Sequence, residues 1–286
     1  MMIKTWLEYA TNTLEKYNIN NPQLEAVVIL SAICKKPKYW IYTFNEYTLN
    51  KFYLNKINQC LKRRIKKEPL AYIIGFCEFW SLNIYVTPDV LIPRKETELI
   101  VDVSINKIYH NNVNKILELG TGSGAISFAI ASSNKFVNII ATDISMKAIK
   151  LAQYNLKQLN LTNIILSQSN WFHKISYQTF DIIISNPPYI SQQEYKYYEE
   201  YLKFEPKIAL IAKNNGLNNF KHIILHSYNY LNNFGWLILE HAPHQITYIM
   251  NLFKKKFYNI QTYMDLNNKF RVICAQKILH KINDFM

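Results

Sequence analysis

Glycine is scarce: the 286-residue sequence contains six. A chain so poor in glycine keeps it where the backbone must turn tightly or approach a ligand. Cysteine is rarer, and Cys34, Cys60, Cys77 and Cys274 lie far apart with no C-x-x-C pair. That spacing argues against a zinc knuckle and a disulfide framework and leaves reduced thiols; no metal site is expected. Apolar runs fall short of the roughly 20 residues that a bilayer crossing needs. The opening MMIKTWLEYATNTLEKYN lacks the apolar h-region of a secretory signal, so a cytoplasmic protein is expected. Arginine is sparse beside lysine, although the net charge is +13. Lys, Asn, Ile and Tyr abound throughout, as an AT-biased genome would produce. The one dense basic cluster, KRRIKK at Lys62–Lys67, ends a helical pattern and can complement its dipole. The charge thus permits a ribosome-associated or RNA-like partner without requiring one.

Burial is no difficulty, since 49% of residues are hydrophobic, and the length suits two domains. Up to about Lys67 the apolar period is helical: Trp6, Tyr9, Ala10, Thr13 and Leu14 form one stripe, followed by Leu24 to Ile33 and Phe52 to Ile65. From Tyr72 to Pro93 short extended runs, FWSLNIYV and DVLIP, predict a hairpin linker. A helix from Glu96 then leads into alternating patterns. KILEL (115–119), NIIAT (138–142), NIILS (163–167), DIIIS (181–185) and WLILE (236–240) are of strand length, with helical segments between most of them. This alternation predicts a parallel sheet covered by helices on both faces. The closing runs IQTYM and FRVICAQ, with no helix between them, predict an antiparallel hairpin at the sheet edge.

Three of the six glycines, Gly120, Gly122 and Gly124, fall in ELGTGSG, where the first strand passes to its helix. In open α/β sheets that turn lies at the ligand crevice and lets an adenosine-bearing cofactor approach the backbone. Asp143 ends the second strand, 23 residues beyond Gly120, near the spacing of about 20 at which a carboxylate reaches ribose hydroxyls. A glycine loop alone also serves plain strand-to-helix packing. A dinucleotide site prefers G-x-G-x-x-G; G-x-G-x-G is the pattern of S-adenosyl-L-methionine-dependent methyltransferases, whose cofactor has no phosphate.

Strand four ends in Asn186-Pro187-Pro188-Tyr189, so this corner is expected in the crevice beside the cofactor. An amide or conjugated amine nitrogen is a poor nucleophile and must be oriented. The Asn186 side-chain oxygen and the Pro187 carbonyl can accept its N–H groups and aim its lone pair. The proline rings stiffen the turn, and Tyr189 offers a flat face. A Pro-Pro turn that merely ends a strand is the plainer use of such residues.

The sequence resembles the release factor glutamine methyltransferases, the HemK/PrmC family, over nearly its whole length. The likeness is carried by VLIPRKETE (90–98), ILELGTGSGAIS (116–127), ATD (141–143), SNWF (169–172), SNPPYI (185–190), FEP (204–206) and LEH (239–241). It implies a Rossmann-like methyltransferase fold: a seven-stranded, mostly parallel sheet with an antiparallel edge hairpin, preceded by a small helical domain and a β-hairpin linker. The domains would be residues 1–70, helical and gripping the release factor, 71–95, the linker, and 96–286, the methyltransferase. The implied activity is methylation of the glutamine of a Gly-Gly-Gln loop in class 1 release factors. S-adenosyl-L-methionine would lie on Gly120, Thr121, Gly122, Ser123, Gly124, Asp143, Trp171, near the adenine, and Asn186. The glutamine amide would lie on Asn186, Pro187, Pro188 and Tyr189, with Asn186, Pro187 and Tyr189 catalytic. A monomer that needs neither membrane nor nucleic acid is expected. The chain departs from the family pattern at Lys95, Asn170 and Ala242 and before Arg271, none of them in G-T-G-S-G or N-P-P-Y. The nearest alternative is a methyltransferase of an exocyclic amine in DNA or ribosomal RNA, which on duplex DNA must first flip the base. A nicotinamide-dependent oxidoreductase and a non-catalytic module on the same sheet are more distant.

Overall fold

The computed structural model describes residues 1–278, so 279–286, the tail of the expected methyltransferase domain, lie outside the described residues. The chain divides into two compact units, Met1–Phe76 and Cys77–Met286.

The first unit is helical, with α1 (Ile3–Lys16), α2 (Pro22–Cys34), α3 (Lys38–Thr43), α4 (Lys51–Arg64) and α5 (Leu70–Ile74). On α1, Ile3, Trp6, Ala10 and Leu14 recur every three or four residues and are fully buried. They join Ala26 and Leu30 of α2 and Ile57 and Leu61 of α4 in one core. Tyr9, read from the sequence as part of this stripe, is 54% exposed. At 100° per residue it sits about 60° to one side of Trp6, on the flank that meets water. The helices α3 and α5 are too short for apolar periodicity to reveal; prolines precede both, and Gly75, at φ +89°, closes α5. The basic cluster is largely used inside the unit. Arg64 makes a two-pronged contact with Glu25 (2.5 and 3.0 Å), and Arg63 pairs with Glu68. Lys67 donates to the carbonyls of Tyr17 and Asn18 (2.5 and 3.1 Å). Those carbonyls follow α1, so this lysine complements the dipole of α1.

At the boundary the chain forms a hairpin of β1 (Phe76–Phe79) and β2 (Leu82–Tyr85). DVLIP, expected to be extended, is instead a turn and irregular backbone, pinned by the Val90 N–H donating to Thr87 O (3.1 Å). Then follow α6 (Glu98–His110), β3 (Lys115–Leu119), α7 (Ala125–Ser133), β4 (Asn138–Asp143), α8 (Met146–Gln158), β5 (Ile164–Gln168) and β6 (Phe180–Ser185). Three short helices, α9 (Gln192–Tyr197), α10 (Glu199–Leu202) and α11 (Lys207–Leu210), precede α12 (Asn218–Tyr230) and β7 (Leu231–Glu240). The described chain closes with α13 (Ile246–Phe253), β8 (Phe257–Met264) and β9 (Phe270–Lys277).

The seven strands order as β5-β4-β3-β6-β7-β9-β8. Neighbours are parallel from β5 to β7, and β9 is antiparallel to both β7 and β8. This is the doubly wound, Rossmann-like arrangement with the edge hairpin expected from the sequence. Strand β3 lies inside the sheet, and Ile116 to Leu119 are all buried, Glu118 included, as a strand covered on both faces requires. Beneath one face, Leu117, Ile183, Leu237, Phe220, Ile249 and Ile273 belong to one core cluster.

Register aligns the strand ends. Leu119 pairs with Thr142 on one side and Ser185 on the other. The next residues along, Gly120, Asp143 and Asn186, therefore leave the sheet along one rim. Buried Asn155 of α8 fastens the segment beside it: its amide nitrogen donates to Tyr85 O and Ser123 O (2.9 Å each), and its oxygen accepts the Tyr85 N–H (2.9 Å). Asn155→Ala removes all three bonds, and chemical denaturation is expected to show a loss of about 3 kcal/mol.

Candidate active site

The rim opens onto two adjoining cavities. The first, about 270 Å³, is lined by Gly120, Gly122, Asp143, Trp171, Asn186 and Pro188 among others. The second, about 190 Å³, is lined by Arg94, Asn186, Pro187, Tyr189 and Glu240, with Leu91, Leu202 and Leu210 as apolar walls. Asn186, Leu91 and Ala209 border both.

On the first cavity the glycine loop is held from three directions. The N–H groups of Gly120 and Thr121 both donate to Thr142 O (2.8 Å each). The Gly122 N–H donates to Asp143 Oδ2 (2.9 Å), and the Ser145 N–H to Oδ1 (2.8 Å). Burial pushes the Asp143 carboxyl above its usual range while these amides pull it back. Below the loop, fully buried Glu118 accepts the hydroxyls of Thr121 (2.7 Å) and Ser127; burial drives its carboxyl up as well.

The three glycines do different work. A Cβ on Gly122, at φ +57°, would meet nothing within 4 Å, and one on Gly120 would only touch the Trp171 ring at 4.0 Å. Gly124, at φ +89°, would drive a Cβ to 2.1 Å from the Phe128 ring. Gly120 and Gly122 line the cavity, whereas Thr121, Ser123 and Gly124 do not. Thr121 turns to Glu118, Ser123 is buried with its carbonyl on Asn155, and Gly124 admits Phe128.

Trp171 stands against Gly120 with φ +49°, a costly backbone for a bulky side chain. Ser169 locks that turn: its hydroxyl donates to Trp171 O (2.8 Å) and accepts the Lys174 N–H (3.0 Å). The lining as a whole contains two carboxylates, Asp89 and Asp143, and no lysine or arginine. Such a wall suits a ligand with positive charge and without phosphate.

The Asn-Pro-Pro-Tyr corner separates the two cavities. Asn186 Nδ2 donates to Thr97 Oγ1 (3.3 Å), while its Oδ1 has no hydrogen-bond partner among the described residues. The Pro188 carbonyl accepts from Asn219 (2.8 Å) and that of Tyr189 from Gln245 (2.9 Å). The Ile190 carbonyl accepts from the Ala212 N–H (2.9 Å). The Pro187 carbonyl, by contrast, has no hydrogen-bond partner among the described residues. Gly216 passes so close that a Cβ there would lie 2.1 Å from Tyr189 O. The Tyr189 hydroxyl donates to Glu240 Oε1 (3.2 Å), and burial with the neighbouring carboxylate raises its pKa.

Several residues at the site were not singled out from the sequence: Gly216, Asn219 and Gln245, and, within the stretches that carry the family likeness, Leu91, Arg94, Thr97, Glu205 and Glu240. Glu205 is 2% exposed at its side chain, pairs with Arg94 and accepts the Ile92 N–H (3.2 Å), so FEP is tied to IPR beside the second cavity. A signal existed for Glu240, since a carboxylate closing an apolar central strand must find partners.

Comparison with known proteins gives two family matches: the PrmC N-terminal domain over residues 5–75 and the Methyltransferase small domain over residues 97–203. Among curated relatives, "Release factor glutamine methyltransferase" of Buchnera aphidicola subsp. Acyrthosiphon pisum is 40% identical, covering 97% of this chain and 99% of the relative. The protein of that name from Salmonella typhimurium is 35% identical over 96% of this chain and 99% of its own. Among solved structures, a methyltransferase from Pyrococcus furiosus superposes with a TM-score of 0.52 at 17% identity, over 80% of this chain and 100% of that one. The hMettl16 catalytic domain, solved with an RNA hairpin, gives 0.58 at 15% identity, over 82% and 84%. These two likenesses concern the fold.

The glycine geometry separates two substitutions. Gly124→Ala combines a left-handed backbone with a clash against a buried ring, and denaturation is expected to show a loss of about 3 kcal/mol. Gly122→Ala meets only the backbone penalty, about 1 kcal/mol, while its methyl occupies cavity space.

Proposed function

The chain belongs to the release factor glutamine methyltransferase family, and from that footing we propose that it methylates the glutamine side-chain nitrogen in the Gly-Gly-Gln motif of class 1 peptide chain release factors. It is an S-adenosyl-L-methionine-dependent enzyme in support of translation termination. The observation that carries the reading is the meeting of two cavities at one residue, Asn186.

The first cavity fits the cofactor on its own chemistry. Two glycines leave room at the backbone, Asp143 stands at the rim, and the absence of lysine and arginine from the lining suits a cationic sulfonium better than a pyrophosphate. Gly120, Gly122, Asp143, Trp171 and Asn186 would hold it, with Thr121, Ser123 and Gly124 shaping the loop from behind. When bound, the cofactor supplies an electrophilic methyl group.

The second cavity takes the acceptor. Leu91, Leu202 and Leu210 offer apolar walls for the glutamine methylenes. Asn186 Oδ1 and the Pro187 carbonyl, both without partners among the described residues, accept the two amide hydrogens. Held there, the nitrogen lone pair is directed toward the first cavity, and two fixed acceptors stabilise positive charge as it grows on that nitrogen. Pro188 keeps the corner stiff, and Tyr189 gives the planar amide a face to lie on. No strong base is needed, because the amide proton becomes acidic once the methyl has arrived.

Residues 1–70 serve to grip the release factor in this reading, 71–95 link, and 96–286 carry out transfer; the match of residues 5–75 to the PrmC N-terminal domain supports the first of these roles. Among the described residues no helix is long and apolar enough to cross a membrane, and we propose a cytoplasmic monomer. An exocyclic amine of DNA or ribosomal RNA as acceptor draws no support from the curated relatives, which are named for release factor glutamine.

The test offers release factor, DNA and ribosomal RNA separately to the purified protein with labelled cofactor; label is expected on the release factor, and label on nucleic acid alone overturns the reading. Asn186→Ala is expected to keep cofactor affinity and to lose about 100-fold or more in transfer. Transfer at the original rate would remove the role given to Asn186.

A further inference from the structure

Glu240 has no part in the steps above, although its position is unusual. It is 2% exposed at the end of β7. The pairing of Ser185 with Leu239 makes it the lateral neighbour of Asn186 along the rim. One oxygen accepts the Tyr189 hydroxyl (3.2 Å), and the other is buried without a hydrogen-bond partner among the described residues. The Thr97 hydroxyl, which accepts from Asn186, also lies beside it. A single carboxylate thus backs both ends of the Asn-Pro-Pro-Tyr corner and borders the acceptor cavity.

We propose that ionised Glu240 is a positioning residue for methyl transfer, holding the corner through Tyr189 and Thr97 and setting a negative charge behind the nitrogen as that nitrogen becomes cationic. This rests on the second cavity as the seat of the glutamine amide. In transfer, the nitrogen lone pair forms the new N–C bond, and the pair of the broken S–C bond returns to sulfur. The nitrogen carries the positive charge until its N–H proton passes to water. During that interval a fixed buried anion is worth most. The other charges around the cavity are largely matched: Arg94 is bound to Glu205, and Arg271 to Asp265 (3.0 Å).

The charge state of Glu240 is finely set. Burial pushes its carboxyl up to about 7, and Glu96 on the turn before α6 adds to this. The hydroxyls of Thr97 and Tyr189 and the charge of Arg271 on β9 pull the other way. His241, next in the chain, is held toward its neutral form by burial. The folded pKa lies above the ordinary value of 4.5, so the stability Glu240 contributes is full below that value and is lost as pH rises through about 7. The form proposed to assist transfer is the one that strains the fold.

The test measures single-turnover methyl transfer to a release factor against pH at saturating cofactor, together with thermal unfolding of the ligand-free protein. Wild-type transfer is expected to fall about tenfold for each pH unit below a midpoint near 7. Glu240→Gln is expected to bind cofactor normally, to transfer at a low rate that is flat across this range, and to melt higher than wild type above pH 7. Should Glu240→Gln fail to fold, Tyr189→Phe decides: losing the hydroxyl that favours the anion must move the midpoint upward. A Glu240→Gln enzyme with the wild-type rate and profile, or a Tyr189→Phe midpoint left in place, overturns the proposal. Failure of the wild type to label release factor at any pH would instead count against the proposed function.

Discussion

The site depends on the hydrogen-bonded register of three parallel strands. Because Leu119 is paired with both Thr142 and Ser185, β3, β4 and β6 end together, and whatever follows them must share one rim. Side-chain bonds reinforce the alignment: Ser185 donates to Leu119 O (2.8 Å) and Thr142 to Glu118 O (3.1 Å). Slipping any of these strands by one residue would turn its apolar faces over, at a cost the buried core forbids. Core packing therefore fixes where the glycine loop and the Asn-Pro-Pro-Tyr corner stand, and their closeness needs no further device.

Buried carboxylates are the second theme. Glu118, Asp143 and Glu240 all have their charged forms disfavoured by burial. Each lies directly behind a loop that must keep its shape: Glu118 below Thr121, Asp143 beside Gly122, Glu240 behind Tyr189. Buried acids are a costly way to hold a fold, yet an acid accepts several short bonds from backbone and hydroxyl donors at once. A loop fixed in this way presents fixed donors and acceptors to its ligand. Stability is exchanged for a pre-shaped site.

The sheet was legible in the sequence because its physics is local and repetitive. KILEL and DIIIS are dominated by apolar residues, as strands buried on both faces must be, with Glu118 interrupting the first, and the two final strands were separable because nothing helical lies between them. The glycine loop and N-P-P-Y were legible because glycine is so scarce and because strand four could be counted. Other features were hidden by their own nature. The irregular DVLIP segment carries a short apolar run like that of a strand, but Leu91 borders both cavities and its neighbours Val90 and Ile92 are taken up by the core. Tyr9 lies at the margin of a stripe, where period alone cannot separate flank from centre. Among G-T-G-S-G, the sequence could not tell Gly122, which opens onto a cavity, from Gly124, which makes way for Phe128. The difference lies in contacts between residues near in space. The partners of the corner, Thr97, Gln245 and Glu240, come from segments far along the chain, and only the fold brings them to Asn186 and Tyr189.

The central claim is that a sulfonium methyl group and a flat glutamine amide meet across Asn186. Mass spectrometry of the release factor peptide bearing Gly-Gly-Gln, after incubation with enzyme and cofactor, addresses it most directly. One added methyl group, located by fragmentation on the glutamine side chain and absent when enzyme is withheld, is the expected result. An unmodified glutamine beside consumed cofactor, or a methyl group located on any other residue, would contradict the account.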